Sequence, residues 1–259
     1  MKLRFLLAFL PCIGCSTTID LAVKARDVQE NLTYSDDLDW TGGTIKIQNE
    51  GTRVSINGGV RVIADGNATR VSATARLVAL VLPEEKSNGD LTLNDVQDTF
   101  RITRSGDDIV VTCGHGKTHG SSLAADSGCE LITVTIPAGN ATTPLDLTVV
   151  SGSGGMSLEL AGATMKKLVT SADVGNTNAQ LPATAGGDYT LVSEEAGDLD
   201  VAMPAGWSAD VVKLEADADA ITSAFPLTAT GGYGAAGGLA SLTITSREFA
   251  GSTGNIDLH

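Results

Sequence analysis

Apolar and polar residues alternate along much of the chain after position 41, with the period of two that is typical of β-strands. Residues 44–48 are the first example, and a turn at Asn49-Glu50-Gly51 separates them from a second alternating run at 54–56. Short strands joined by turns that contain Asn and Gly predict β-hairpins. The segment 41–140 is therefore predicted to be a hairpin-rich β-region.

The same segment contains signals for two more hairpins. The first spans 60–75 around the turn Asp65-Gly66-Asn67, and the second spans 100–111 around the turn Ser105-Gly106-Asp107-Asp108. Both turns contain the Asp and Gly residues that favour a tight reversal of the chain. Residues 91–100 lie between the two hairpins and predict a short helix or a loop.

The segment 141–259 contains an irregular internal repeat. Leu145, Leu168, Leu191 and Leu214 are each separated by 23 residues, and the later units end in an apolar residue followed by proline. A unit of this length cannot bury a core by itself, so neighbouring units must stack. Because Gly, Thr, Ser and Val dominate, we expect strands rather than helices. The sequence therefore predicts an all-β protein whose hairpin-rich half continues into a β-solenoid of ~23-residue repeats.

Several short motifs between positions 41 and 259 carry a family resemblance. They are Gly43-Thr44-Ile45-Lys46-Ile47, Val54-Ser55-Ile56, the strand-like run 132–137 and the closing Gly254-Asn255-Ile256-Asp257-Leu258. With these motifs the chain resembles the bacterial putative-adhesin repeat family, which is related to the heads of autotransporter adhesins. The resemblance implies an extracytoplasmic β-solenoid domain, and it supplies no catalytic residues.

The first fifteen residues have the pattern of an export signal. A basic start precedes an apolar run that is too short to span a bilayer, and Cys15 follows Ile13-Gly14. Cys15 is predicted to become the lipidated first residue after removal of residues 1–14, so that the protein is anchored to the bacterial outer membrane. The alternative is cleavage by an ordinary signal peptidase without lipidation. Residues 15–40 are predicted to be a linker to the folded body.

The net charge of −14 narrows the range of partners. An acidic surface repels nucleic acid and the anionic lipid headgroups that basic patches bind. The predicted partners are therefore the membrane, through the lipid anchor, and a surface protein or glycan ligand. No cofactor is predicted, and the sequence leaves the oligomeric state open.

Cys113 and Cys129 are the cysteines that remain when the export signal and Cys15 are set aside. An even pair in an exported chain predicts a disulfide. Together with His115 and His119, the two thiols could instead bind zinc. The spacing fits no common zinc finger, so a disulfide that closes a surface loop is the favoured interpretation. No metal site is predicted, and both histidines are expected to be exposed.

Acidic residues in the repeat region leave one enzymatic alternative open. A β-helical enzyme could use carboxylates on one solenoid face to act on polysaccharide. The candidates are Asp188, Glu194, Glu195, Asp198 and Asp210. No pair of them has a spacing that places both in a cleft, and the three histidines offer little material for a Ser-His-Asp triad. The predicted function is therefore a non-enzymatic scaffold or adhesin-like binding module of the cell envelope.

Two acidic clusters and three isolated aromatic residues are further candidates. The clusters at 36–39 and 215–219 carry carboxylates that could bind calcium, but neither has the Gly-containing loop of a calcium motif, and the alternative is a solvated face. Trp40, Trp207 and Tyr233 could contact a ligand, but they are expected in the core or at its rim, since isolated aromatic residues carry no spacing signal.

Overall fold

The computed structural model describes residues 22–30, 38–50, 59–117, 119, 127–152, 154–183, 186–195, 197–204, 209–216, 221–223, 240–247 and 254–259. These residues are mostly β-structure, with two mixed sheets and one α-helix, α1 (Lys86–Thr99), which a 3-10 turn (Pro83–Glu85) precedes. The strands in chain order are β1 (Ala22–Glu30), β2 (Thr44–Asn49), β3 (Gly59–Asp65), β4 (Ser72–Val81), β5 (Arg101–Ser105), β6 (Asp108–Cys113), β7 (Ser127–Pro137), β8 (Leu145–Ser151), β9 (Gly155–Glu159), β10 (Met165–Val174), β11 (Thr177–Gln180), β12 (Gly187–Glu195), β13 (Leu199–Ala202), β14 (Ala209–Ala216), β15 (Ile221–Ser223), β16 (Ala240–Ser246) and β17 (Ile256–Leu258).

The strands form two sheets that share a hydrophobic core. The order across sheet 1 is β1-β4-β7-β3-β9-β11-β13-β17-β15, and the order across sheet 2 is β14-β16-β12-β10-β8-β2-β6-β5. Among the described strands, pairing is parallel except for β1-β4, β4-β7 and β5-β6, which lie at one end of the sheets. From β6 onward, consecutive strands alternate between the sheets. We call each pair of consecutive strands, one in each sheet, a tier.

The tiers stack in an order that differs from the chain order at both ends. The spatial sequence is β6–β7, β2–β3, β8–β9, β10–β11, β12–β13, β16–β17 and β14–β15. The tier β2–β3 therefore lies between two tiers that come later in the chain, and β16–β17 separates β12–β13 from β14–β15. Because one stack contains all of these described tiers, the strands before and after position 140 belong to the same two sheets.

Alternating sequences form these strands because one face of each strand is buried in the shared core. Strands β2 and β8 bury every second residue. The parallel register then places Ile45, Leu147, Leu168, Tyr189 and Leu242 in one row, and each of these residues is at most 1% exposed. Burying a large apolar side chain contributes about 1.5–3 kcal/mol. This row therefore stabilises the stack and fixes the register between tiers.

Glycines stack at the corner where the chain passes from sheet 2 to sheet 1. Gly175, Gly197 and Gly254 occupy this corner in three neighbouring tiers. A Cβ on Gly197 would lie 2.2 Å from the carbonyl oxygen of Gly175, and a Cβ on Gly254 would lie 2.1 Å from the carbonyl oxygen of Gly197. The backbones of neighbouring tiers approach too closely here for a residue with a side chain.

The residues after Gly175 and Gly197 link their tiers to the next one. Oδ1 of Asn176 accepts a hydrogen bond from the backbone N–H of Asp198 (3.0 Å), and Oδ1 of Asp198 accepts one from the backbone N–H of Asn255 (2.8 Å). Short side chains with an acceptor oxygen are suited to such turns because they bond to nearby backbone N–H groups. A Gly-Asn or Gly-Asp pair therefore marks the corner of each of these tiers.

The predicted 23-residue period of leucines is not the period of the stack. Leu168 lies opposite Leu147 and Tyr189 in the neighbouring strands, and each of these is 21 positions away along the chain. Leu191 lies opposite Thr170, again 21 positions away. A spacing of 23 corresponds to one stack period plus one step of two residues between inward positions of a strand. Leu145, Leu168 and Leu191 are thus buried in different rows, whereas Leu191 and Leu214 both lie opposite Ile244.

The structure confirms one predicted hairpin and corrects another. Strands β5 and β6 pair antiparallel around the turn between Ser105 and Asp108. Strands β3 and β4 are not partners, because β7 lies between them and pairs with both. The turn at 65–67 determines that the chain reverses, but it does not determine which strand becomes the neighbour. The predicted strand at 54–56 lies outside the described residues.

The N-terminal end of the stack is covered by elements that the sequence described incompletely. The predicted linker at 15–40 contributes β1, which pairs antiparallel with β4. The predicted helix or loop at 91–100 belongs to α1, which packs against β1, β4 and β7 and buries Leu93 and Val96. A covered end protects strand edges from pairing with other chains.

No helix in the described part of the chain combines the length and the apolar character needed to cross a bilayer. The predicted export signal and Cys15 lie outside the described residues.

Candidate binding face

Polar side chains cross the outer surface of sheet 1 in a continuous row. In register across seven neighbouring strands, the row contains Thr74, Thr133, Arg61, Ser157, Asn178, Asp200 and Asp257. Neighbouring strands lie about 4.8 Å apart, so the row presents one polar side chain at each step along the stack. We call this row, together with the adjacent Glu159, Gln180 and His259, the polar face.

The middle of the polar face forms a shallow groove of about 210 Å³. Its polar lining consists of Ser157, Glu159, Asn178, Gln180, Asp200 and His259. Asn178 and Gln180 are exposed, and neither side-chain amide makes a hydrogen bond to another described residue. Because each amide can both donate and accept, the groove offers two uncommitted groups to a ligand.

Ion pairs lie on both sides of this groove. Arg61 donates to Oε1 of Glu159 at 2.7 Å, and Nε2 of His259 lies 2.7 Å from Oδ1 of Asp200. Exposed pairs of this kind add at most about 1 kcal/mol to stability. Their effect on the face is to link β3 to β9 across the stack and to place the imidazole of His259 beside the carboxylate of Asp200. The sequence analysis missed His259, although the alternation of 256–258 already predicts an outward side chain at 259.

The structure confirms the predicted disulfide between Cys113 and Cys129, whose Cα atoms lie 6.1 Å apart. Both cysteines are buried, Cys113 at the end of β6 and Cys129 near the start of β7. The bond therefore joins sheet 2 to sheet 1 in the tier β6–β7. In the chain-entropy model, a loop of this size gains roughly 3 kcal/mol from closure.

The two histidines near the disulfide have separate partners. Nδ1 of His115 lies 2.6 Å from the carbonyl oxygen of Ser127, and Nε2 of His119 lies 2.7 Å from Oδ2 of Asp95 on α1. His115 is exposed as predicted, whereas the side chain of His119 is only 33% exposed because it packs beside the helix. Within the described ranges, no three or more His, Cys, Asp or Glu residues are grouped so that they could hold a metal ion.

Three acidic residues of the enzymatic alternative bond to groups on a neighbouring strand or its flanking residues. Asp188 accepts a hydrogen bond from Oγ of Ser241 at 2.6 Å, and Glu194 pairs with Arg247. Asp198 accepts the corner hydrogen bond from the backbone N–H of Asn255, and Glu195 is a half-buried residue at the end of β12. The carboxylates of Asp188, Glu194 and Asp198 thus bind neighbouring strands, and the structure does not bring them together in one cleft.

Several predicted candidates have no described side chain. They are Cys15, Asp36, Asp37, Trp207, Asp210, Glu215, Asp217, Asp219 and Tyr233. Of the acidic cluster at 36–39, Asp39 is described and pairs with Arg70. Trp40 lies at the rim of the core, as expected, and its indole N–H donates to the carbonyl oxygen of Gly43 at 2.7 Å.

Comparisons with known proteins give a likeness of fold. No family model matches the chain, and no curated protein matches it in sequence. A crystal structure of a putative cell adhesion protein from Clostridium sporogenes matches with a TM-score of 0.54 at 12% identity, over 92% of this chain and 99% of that one. A crystal structure of a putative adhesin from Bacteroides fragilis matches with a TM-score of 0.25 at 12% identity, over 92% of this chain and 97% of that one. At this level of identity the first match shows a shared fold.

Proposed function

We propose that the chain is a non-enzymatic, adhesin-like binding module of the bacterial cell envelope, built on a β-solenoid and anchored through a lipidated Cys15. The observation that carries this proposal is the polar face, which extends over seven strands and contains the uncommitted amides of Asn178 and Gln180. A rigid surface of this kind binds through many contacts of modest strength.

The stacking of the tiers supports the β-solenoid interpretation. From β6 onward, consecutive strands alternate between two sheets, and each strand of a tier lies parallel to its counterpart in the neighbouring tier. The corner glycines recur from tier to tier, and so do the hydrogen bonds of the Asn or Asp residues that follow them. This recurrence is expected when each repeat contacts only its neighbours. Such a frame is ordered before a ligand arrives, so binding costs little additional conformational entropy.

The fold comparison supports the adhesin-like role in a limited way. The solved structure from Clostridium sporogenes is named as a putative cell adhesion protein, and it matches over nearly the whole of both chains. A common fold does not by itself transfer a function. The proposal for this chain therefore rests on its own polar face.

Adhesion of coated beads tests the binding role. Beads carrying the purified protein would be applied to immobilised extracellular matrix proteins and glycans. A hydrogen bond contributes about 0.5–1.5 kcal/mol, so we expect each of Ser157→Ala, Asn178→Ala and Gln180→Ala to weaken adhesion roughly 2- to 12-fold and the triple variant to weaken it multiplicatively. The matched control is the triple variant Thr148→Ala, Thr190→Ala and Thr243→Ala, on the outer face of sheet 2.

Three results would contradict the binding role. One is the absence of adhesion to every member of the panel. Another is equal loss of adhesion in the polar-face triple and in the control triple. The third is the release of cleaved product from a glycan, which would favour the enzymatic alternative.

Intact mass tests the anchor. We expect protein purified from its native membrane fraction to lack residues 1–14 and to carry acyl chains, and we expect the Cys15→Ala variant to lack them. A mass without acyl chains for the unmodified sequence would make the protein soluble after export and would remove the anchored part of the proposal.

A further inference from the structure

A second concave surface lies at the edge where the chain passes from sheet 1 to sheet 2, away from the glycine corner. It encloses about 280 Å³. The segment before β2, the β3–β4 loop and the β7–β8 loop form its walls. The lining residues are Trp40, Thr41, Gly66, Ala68, Thr69, Pro137, Ala138, Gly139, Asn140 and Thr143. We call this cavity the Trp40 pocket.

Hydrogen bonds within the loops fix the walls of the Trp40 pocket. In the β3–β4 loop, Oδ1 of Asp65 accepts from the backbone N–H of Asn67 at 2.8 Å. In the β7–β8 loop, Oδ1 of Asn140 accepts from the backbone N–H groups of Thr142 and Thr143, both at 2.9 Å. A pocket whose walls are already held in place loses little entropy when a ligand binds.

The segment with Trp40 is held against these loops by its own backbone and side chain. The backbone N–H of Trp40 donates to the carbonyl oxygen of Thr69 at 3.3 Å, and the indole N–H donates to the carbonyl oxygen of Gly43 at 2.7 Å. The polar edge of the indole is therefore satisfied within the protein. The ring supplies an apolar surface to the pocket at a fixed position.

The lining has a composition that suits a neutral, hydroxyl-rich ligand. The lining contains Trp40, three threonines and Asn140, and none of the described lining residues carries a charge. Oδ1 of Asn140 is occupied by two backbone N–H groups, so Nδ2 is the part of this amide available to donate. In a chain with a net charge of −14, an uncharged pocket is selective against anions and offers no counter-charge to a cation.

We propose that the Trp40 pocket binds a neutral sugar residue of a glycan. The indole of Trp40 packs against the apolar face of the sugar ring, and the Asn140 amide and the threonine hydroxyls bind its hydroxyl groups. The volume of about 280 Å³ lies near the lower limit of protein ligand pockets, roughly 300 Å³, which fits one ring rather than an extended oligosaccharide. The pocket and the polar face are separate surfaces, so either can bind without the other.

Tryptophan fluorescence provides a direct assay. The chain contains two tryptophans, and the variant Trp207→Phe leaves Trp40 as the single reporter. This variant of the full chain would be titrated with methyl glycosides of neutral hexoses and N-acetylhexosamines, and with glucuronic acid and N-acetylneuraminic acid as charged counterparts. We expect a saturable change with at least one neutral sugar at millimolar concentration and no saturable change with the charged sugars.

A matched pair of variants locates the binding. Asn140→Asp keeps the acceptor oxygen that holds the β7–β8 loop but replaces the Nδ2 donor by a negative charge, and we expect it to weaken sugar binding at least tenfold. Asn88→Asp makes the same change on α1, outside both proposed surfaces, and should leave the sugar affinity within twofold. Asn178→Asp reports separately on binding at the polar face. Circular dichroism of all three variants verifies that the sheets are intact.

Each remaining outcome overturns the inference. Absence of saturation with every neutral sugar, or equal affinity for the charged sugars, contradicts the proposed ligand class. Unchanged affinity in Asn140→Asp contradicts the proposed site. If Asn178→Asp alone weakens the sugar, the ligand binds the polar face, which supports the proposed function while excluding the Trp40 pocket.

Discussion

Replacement of Gly197 by alanine should be strongly destabilising. The new Cβ would lie 2.2 Å from the carbonyl oxygen of Gly175, whereas ordinary contacts of a Cβ begin near 3.4 Å, so the two tiers would have to separate locally by about 1 Å. The hydrogen bond from the backbone N–H of Thr177 to the carbonyl oxygen of Asp198, at 2.8 Å, and the bond from Asp198 to Asn176 lie at this corner. Each lost bond costs about 1 kcal/mol, and forced repacking costs typically 1–3 kcal/mol. We expect a loss of about 2–5 kcal/mol.

The control for this substitution is Gly162→Ala. An added Cβ at Gly162 meets no atom within 4 Å, and the residue lies in the turn between β9 and β10. Removing a glycine restricts the unfolded chain, so we expect this variant to be unchanged or more stable by up to about 1 kcal/mol. Gly197 does not have a positive φ. The difference between the two variants therefore measures the close approach of the tiers and not backbone strain.

Urea denaturation followed by far-UV circular dichroism measures both free energies of unfolding. The slope of free energy against urea concentration should stay constant, since it scales with the surface that unfolding exposes. If Gly197→Ala lies within about 0.5 kcal/mol of Gly162→Ala at equal slope, the corner tolerates a side chain and the argument from the glycine stack is refuted.

Three further predictions follow from buried groups. Thr170 is fully buried, and its hydroxyl has no hydrogen-bond partner among the described residues. Thr170→Val should therefore raise the free energy of unfolding by about 1 kcal/mol in urea denaturation, and a decrease of the same size would contradict this. Replacing both Cys113 and Cys129 by alanine should lower that free energy by about 3 kcal/mol in the same assay, and an unchanged value would show that loop closure contributes nothing. Burial raises the pKa of Tyr189, so the folded protein keeps the phenol neutral while the unfolded chain ionises it above about pH 10, and stability should fall as the pH rises through that value. Denaturation as a function of pH should show a smaller alkaline loss for Tyr189→Phe, and an identical pH profile would refute the assignment.

Local pattern was sufficient to predict single strands and one hairpin. The alternation at 44–48 predicts β2, and the turn from Ser105 to Asp108 predicts the pairing of β5 with β6, because both signals act between residues close in the chain. Neighbour relations between distant strands were not predictable in this way. The position of β7 between β3 and β4 depends on contacts between residues about 50 to 70 positions apart, which no turn signal specifies.

The repeat of the stack was present in the sequence but in glycines rather than in leucines. Any inward strand position accepts a leucine, so leucines can be spaced by one tier plus one inward step. The corner is more restrictive, because Gly175 and Gly197 are in a place where a Cβ meets backbone atoms. The Gly-Asn and Gly-Asp pairs at these corners therefore follow the spacing of the tiers more closely.

The candidate sites were harder to predict than the fold. Outward polar residues such as Asn178 are ordinary in strands, and only the register shows that they form a row across the stack. The Trp40 pocket combines three segments that are distant in the chain, so the sequence favoured Trp40 as a core or rim residue and did not identify the other walls. The disulfide was predictable, because only two cysteines remain outside the predicted export signal and leave few alternatives.

The order of the tiers has a consequence for the time course of folding. Synthesis delivers β14 and β15 before β16 and β17, yet β16–β17 separates them from β12–β13 in the finished protein. The stack therefore cannot grow by adding each new pair of strands to the last one placed. The strands β14 and β15 must wait undocked or detach from a first position on β12–β13, and either route adds a slow late step that depends on distant contacts.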